Sequence, residues 1–143
     1  MDRVKILLVD DSKTMKRANE AVLIKAGYEV ICAEDGEAAL ELAAKQKPDL
    51  ILLDMILPRM SGPEVLEHLK KNAATANIPV VVLSSLTEKN RQKLIEAGAE
   101  DYLEKNSLMP VPGMNLLPEM LNNVISRMNR RRGTALSSVS VGK

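Results

Sequence analysis

Apolar and polar residues alternate along the chain in blocks rather than singly. Residues 4–9, VKILLV, form an apolar run with one Lys, and the run ends in Asp10–Asp11. Continuous runs of this kind suit strands buried on both faces, as in parallel sheets. Similar runs follow at 29–33 (EVICA), 49–53 (DLILL, ending at Asp54), 79–83 (PVVVL, ending in Ser84–Ser85) and 101–103 (DYL, leading to Lys105). Between them the apolar period lengthens to that of a helix. Ser12 stands as an N-cap before Met15, Ala18, Val22 and Ala26 at helical spacing, and Gly27 closes that helix. Asp35–Gly36 opens an Ala- and Leu-rich helix stopped by Pro48. Pro63 suits the first position of a helix through VLEHLKK. Thr87 can cap EKNRQKLIEAG, which Gly98 ends. A loop over 106–114 with Pro110, Pro112 and Gly113 leads to a last helix, about Asn115 to Arg130. Five strands, each followed by a helix, predict an α/β fold. We expect a five-stranded parallel sheet, doubly wound (βα)5 and flavodoxin-like, with right-handed crossovers.

Composition narrows the chemistry. The 143 residues suggest one domain, with 45% hydrophobic and 27% charged residues, which excludes wholesale disorder. One cysteine, Cys32, excludes an internal disulfide framework, and one histidine, His68, excludes a multi-histidine metal site. Phe and Trp are absent and Tyr numbers two, so no aromatic platform for nucleic-acid bases is expected. The net charge is +1, but it is unevenly spread. Five basic residues and no acid lie between Arg127 and Lys143, leaving 15 basic and 19 acidic residues, a net of −4, before them. Residues 1–130 read as the domain. Residues 131–143, a basic tail rich in Ser and Gly after the arginines, read as disordered or as the opening of a linker. Nucleic-acid binding through this tail is disfavoured. No apolar run approaches the ~20 residues of a membrane span, and the expectation is a soluble cytoplasmic protein.

In open parallel sheets, ligands bind beyond the carboxyl ends of the strands. Asp10, Asp11, Asp54, Ser84 and Lys105 all fall there, provided the first, third, fourth and fifth strands are neighbours. Three close carboxylates repel one another unless a cation joins them. Mg²⁺ takes one or two carboxylates and keeps positions for water and phosphate. With a lysine and a hydroxyl nearby, the set describes a site for a phosphoryl group, in which a carboxylate can be the nucleophile. Asp54 is the best placed for that role.

VDDS (9–12), LLDMILPRMSG (52–62), VVLSS (81–85) and GAEDYLEK (98–105) resemble, in order and spacing, the signature segments of the response regulator receiver domain, including the chemotaxis-regulator-like mobile phospho-relay modules. The resemblance spans residues 4–130. It implies that Asp54 is the phosphoacceptor and that Asp10 and Asp11 hold Mg²⁺ together with Asp54 and the backbone carbonyl of Ile56. It implies that Ser84 and Lys105 bind the phosphoryl group, and that Tyr102 stands at the rotamer-switch position. The donor would be a sensor histidine kinase or phosphotransfer domain. The face of the fourth helix, fifth strand and fifth helix would report the change to a downstream protein or a fused output domain, and a homodimer is allowed. Beyond self-phosphorylation and self-dephosphorylation at Asp54, no enzyme activity is implied.

The sequence also departs from the family. Asn106 replaces the Pro that normally follows the lysine, so a trans Lys105–Asn106 bond is expected. Ile56 and Leu86 are apolar where a polar side chain could orient a hydrolytic water. Alternatives are a pseudo-receiver that is never phosphorylated, and a phosphatase of the haloacid dehalogenase type. The latter needs an acid two residues after its nucleophile, where this chain has Ile56.

Overall fold

The computed structural model describes residues 3–84, 91–108, 111 and 113–132. Thr87, Ser85, Leu86, Met109 and the tail beyond 132 lie outside these, and with them the expected cap and linker. The strands are β1 (Lys5–Val9), β2 (Glu29–Ala33), β3 (Leu50–Asp54), β4 (Val80–Ser84) and β5 (Asp101–Glu104). All pair in parallel in the order β2-β1-β3-β4-β5. The helices are α1 (Lys13–Lys25), α2 (Gly36–Gln46), α3 (Gly62–Lys71), α4 (Arg91–Glu96), α5 (Lys105–Leu108) and α6 (Leu117–Arg132).

Period-two alternation sorts the strand residues onto two faces. Leu8, Leu52 and Leu83 pack with Leu23 of α1 and with Leu121 and Ile125 of α6. Val9, Leu53 and Val82 pack with Ala39 of α2, Leu66 of α3 and Leu94 of α4. The sheet is therefore covered on both sides, as the unbroken apolar runs predict.

The helix signals act much as expected. The Ser12 hydroxyl accepts the Met15 N–H (3.3 Å), and Gly27 takes φ +103° just beyond α1. Lys47, before Pro48, closes α2 in the left-handed region (φ 48°). At α3, Ser61 and Glu64 form a reciprocal capping box, which puts Pro63 one residue past the expected first position. The stretch after β5 differs from the expected loop. Residues 105–108 form a helical turn whose Leu108 is buried, and the Leu116 N–H donates to the Leu108 carbonyl (2.7 Å). The expected fifth helix is thus α6. It begins at Leu117, whose N–H donates to the Asn115 side chain (2.9 Å). The described peptide bonds are all trans.

One core group is poorly served. Tyr28 is buried, and its hydroxyl has no hydrogen-bond partner among the described residues. Burial pushes the phenol up to about 12. An unsatisfied buried hydroxyl carries a desolvation cost of about 1–3 kcal/mol. Tyr28→Phe is therefore expected to leave stability unchanged or raise it by about 1 kcal/mol, measured by urea denaturation. A loss above that size would reveal a partner for the hydroxyl.

Candidate functional site

Register brings the polar strand ends together. Val9 lies opposite Leu53, so the next residues, Asp10 and Asp54, emerge side by side. Asp54 lies opposite Leu83, and Ser84 opposite Glu104, so Ser84 and Lys105 each stand one step further out. Alternation puts Asp54 toward the α1–α6 face, with Leu52; Asp10 follows β1 beside it, and Lys105 opens α5 directly after β5. Ser84 shares the opposite face with Val82 and Tyr102, which are register partners.

On the α1–α6 side, one carboxylate oxygen each from Asp10, Asp11 and Asp54 lies within 4.8 Å of the others. Asp10 and Asp54 are buried and Asp11 is exposed. Lys105 Nζ donates to Asp54 Oδ2 (2.7 Å), and the Ile56 N–H donates to Asp54 Oδ1 (3.1 Å). Asp10 Oδ1 accepts the Ser12 N–H (2.9 Å). Its Oδ2 is buried with no hydrogen-bond partner among the described residues. Burial pushes the Asp10 carboxyl above its ordinary range. The Ser12 N–H partly opposes this, and the neighbouring Asp54 charge reinforces it. Three clustered carboxylates, one of which carries a buried, unpaired oxygen, fit a divalent cation of the Mg²⁺ type.

The remaining expected residues fall as follows. Ser84 is buried at the end of β4. Tyr102 is buried, packed with the α2–α3–α4 cluster. Ile56 turns an exposed side chain to solvent. Two contributors escaped the sequence reading. Gly62 donates its N–H to the Met55 carbonyl (3.0 Å) and lies against the backbone just after Asp54. Its place before Pro63 at a helix start is the only sequence signal for it. Asp101, buried on β5, pairs with Arg91 of α4 and Arg127 of α6, contacts that no sequence pattern announces.

The fold is a doubly wound parallel sheet of the α/β class that carries an acidic cluster and a lysine at its carboxyl edge. The family model of the response regulator receiver domain matches residues 6–110, and the chain belongs to that family. Protein PilG of Pseudomonas aeruginosa is 37% identical over 107 residues, covering 73% of this chain and 78% of that one. Response regulator PleD of Caulobacter vibrioides is 43% identical over 102 residues, covering 71% of this chain and 22% of that one. A probable transcriptional regulator, ycf27, of Porphyridium aerugineum is 36% identical, with 43% of its length covered. The chain thus spans less than half the length of several relatives it matches. Among solved structures, the chemotaxis protein CheY4 of Vibrio cholerae is 32% identical with a TM-score of 0.72, covering 88% of this chain and 98% of that one. The receiver domain of the Francisella response regulator 1452 is 27% identical with a TM-score of 0.75, covering 90% and 99%. Receiver domains of two-component response regulators are phosphorylation-dependent signalling switches rather than enzymes in the ordinary sense. They work with histidine kinases and output domains. No helix among the described residues is long and apolar enough to cross a membrane.

Proposed function

We propose that this chain is a switch whose Asp54 accepts a phosphoryl group from a sensor histidine kinase or a phosphotransfer domain. The observation that carries the reading is the 2.7 Å pairing of Lys105 with Asp54 inside a carboxylate cluster that holds an unpaired buried oxygen. An Asp54 carboxylate oxygen attacks phosphorus while the bond to the donor's leaving group breaks, giving an aspartyl phosphate. Lys105 follows the new charge onto a phosphoryl oxygen, and Ser84 donates its hydroxyl to another. Asp10, Asp11, Asp54 and the Ile56 carbonyl would hold Mg²⁺, which when bound neutralises charge on the phosphoryl oxygens. Tyr102, already buried beside the β4 end, is the switch residue in this reading. Residues 1–130 form the working module, acting in the cytoplasm on a downstream protein, a fused output domain or a second copy.

The test is intact-mass spectrometry after incubation with acetyl phosphate and Mg²⁺. A gain of one phosphoryl group is expected, abolished by EDTA and by Asp54→Asn. No gain from acetyl phosphate or from a cognate kinase would favour the pseudo-receiver alternative. The same samples, followed after the donor is removed, report lifetime. The Ile56 side chain offers no polar atom to orient water, so the phosphoryl group is expected to persist for minutes rather than seconds. Ile56→Asn should shorten that time severalfold, and a wild-type lifetime of seconds would contradict the argument.

A further inference from the structure

Asp101 is the one buried carboxylate among the described residues that lies outside the phosphoryl site. It sits at the start of β5, its own Oδ1 accepting the Tyr102 N–H (2.7 Å). Two half-exposed arginines from two helices converge on it. Arg127 of α6 contacts Oδ2 in a close ion pair, whereas Arg91 of α4 reaches Oδ1 only at 3.4 Å. The two arms are therefore unequal. A buried carboxylate left without a partner is costly, and Arg127 alone meets that need. The Arg91 arm is the weaker one, near the limit for a hydrogen bond.

The two arms also differ in what they hold. Arg127 joins β5 to α6, which is anchored in the core through Leu121 and Ile125. Arg91 is the first residue of α4 and lies seven positions after Ser84 along the chain. Arg91 is also the first described residue after Ser84, so a displacement of Ser84 toward a phosphoryl group on Asp54 bears on the Arg91 arm before the Arg127 arm.

We propose that the Arg91–Asp101 ion pair is a latch of the unphosphorylated state. Phosphorylation breaks it at the Arg91 arm, while the Arg127 arm keeps the buried Asp101 charge paired. The latch rests on the reading of Asp54 as phosphoacceptor. A contact made in only one of two states biases the equilibrium toward that state, and its removal favours the other. The freed Arg91 guanidinium then becomes available on the α4–β5–α6 face.

Beryllofluoride, a phosphoryl mimic, tests this with Mg²⁺ present, by calorimetric titration of wild type, Arg91→Ala and Arg127→Ala. Half-exposed ion pairs are weak, so Arg91→Ala is expected to bind the mimic about two- to fivefold more tightly than wild type. Arg127→Ala, which breaks the arm retained in both states, should gain no affinity and should lose thermal stability. Unchanged or weaker binding by Arg91→Ala, or equal gains in both variants, would overturn the latch. No binding by the wild type itself would instead overturn the underlying phosphoacceptor reading, and the latch with it.

Discussion

Asp10→Asn is expected to make the metal-free protein more stable while abolishing its response to Mg²⁺. Asp10 is only 1% exposed, and Lys105, the cation of the site, is committed to Asp54. Asp10 Oδ2 is left buried with no hydrogen-bond partner among the described residues. A desolvated carboxylate with one oxygen unpaired is tolerated in a folded chain only at the expense of stability. An asparagine can keep the oxygen that accepts the Ser12 N–H and turn an amide N–H toward the neighbouring carboxylates. The gain should be about 1–3 kcal/mol, the usual penalty of an unsatisfied buried group. Thermal melts in EDTA and in Mg²⁺ read both effects. Wild type should melt higher with Mg²⁺, because a ligand bound only by the folded state stabilises it. The variant should melt higher than wild type in EDTA and show no shift with Mg²⁺. A variant less stable than wild type in EDTA would mean that Oδ2 carries a favourable interaction in the metal-free protein. The expected outcome would mean that stability is held below its maximum at the proposed cation site, a trade common at functional sites.

The parts of this site that could be read from the sequence are those that depend on strand ends. Asp10, Asp54, Ser84 and Lys105 each follow an apolar run, and parallel pairing leaves such residues at one edge whatever the detailed register. The placement of Asp54 and Ser84 on opposite faces also follows from alternation, once the pairing of Asp54 with Leu83 is known. What could not be read depends on contacts distant in sequence. The turn at 105–108 has no periodicity of its own. It forms because Leu108 finds a place in the core beside Leu117 and Leu121, and because its carbonyl is met by the Leu116 N–H. Tyr102 as a lone polar aromatic in a short strand reads as half-buried. Its full burial comes from the helices on the α2–α3–α4 face. Asp101 looks like a solvated strand residue until Arg127, 26 positions later, is brought across it. In each case local propensity was silent and tertiary packing decided the outcome.

Gly62→Ala is expected to damage both the fold and phosphoryl acceptance, and the damage should be larger than at the exposed Gly113. A Cβ at Gly62 would sit 2.5 Å from Met55 Cα and 2.7 Å from the Asp54 carbonyl oxygen. Both are backbone atoms, so no side-chain rotation relieves the clash. Nor can the strand end retreat, because the Met55 N–H donates to the Leu83 carbonyl of β4 (3.2 Å). The backbone carrying Asp54 must shift or α3 must move away, at about 1–3 kcal/mol for overpacking of this kind. A displacement near 1 Å at a reacting group costs about a hundredfold in rate, so the rate of phosphorylation by acetyl phosphate should fall about 10- to 100-fold. Gly113→Ala is the comparison. Gly113 has φ +84° but nothing within 4 Å of the added carbon. It should lose about 1–2 kcal/mol from left-handed backbone strain and phosphorylate at the wild-type rate. Urea melts and mass-detected phosphorylation rates on both variants separate the two effects. If Gly62→Ala lost stability yet kept its rate, the strain would have been taken up by α3, and the Asp54 turn would be stiffer than the helix packed against it.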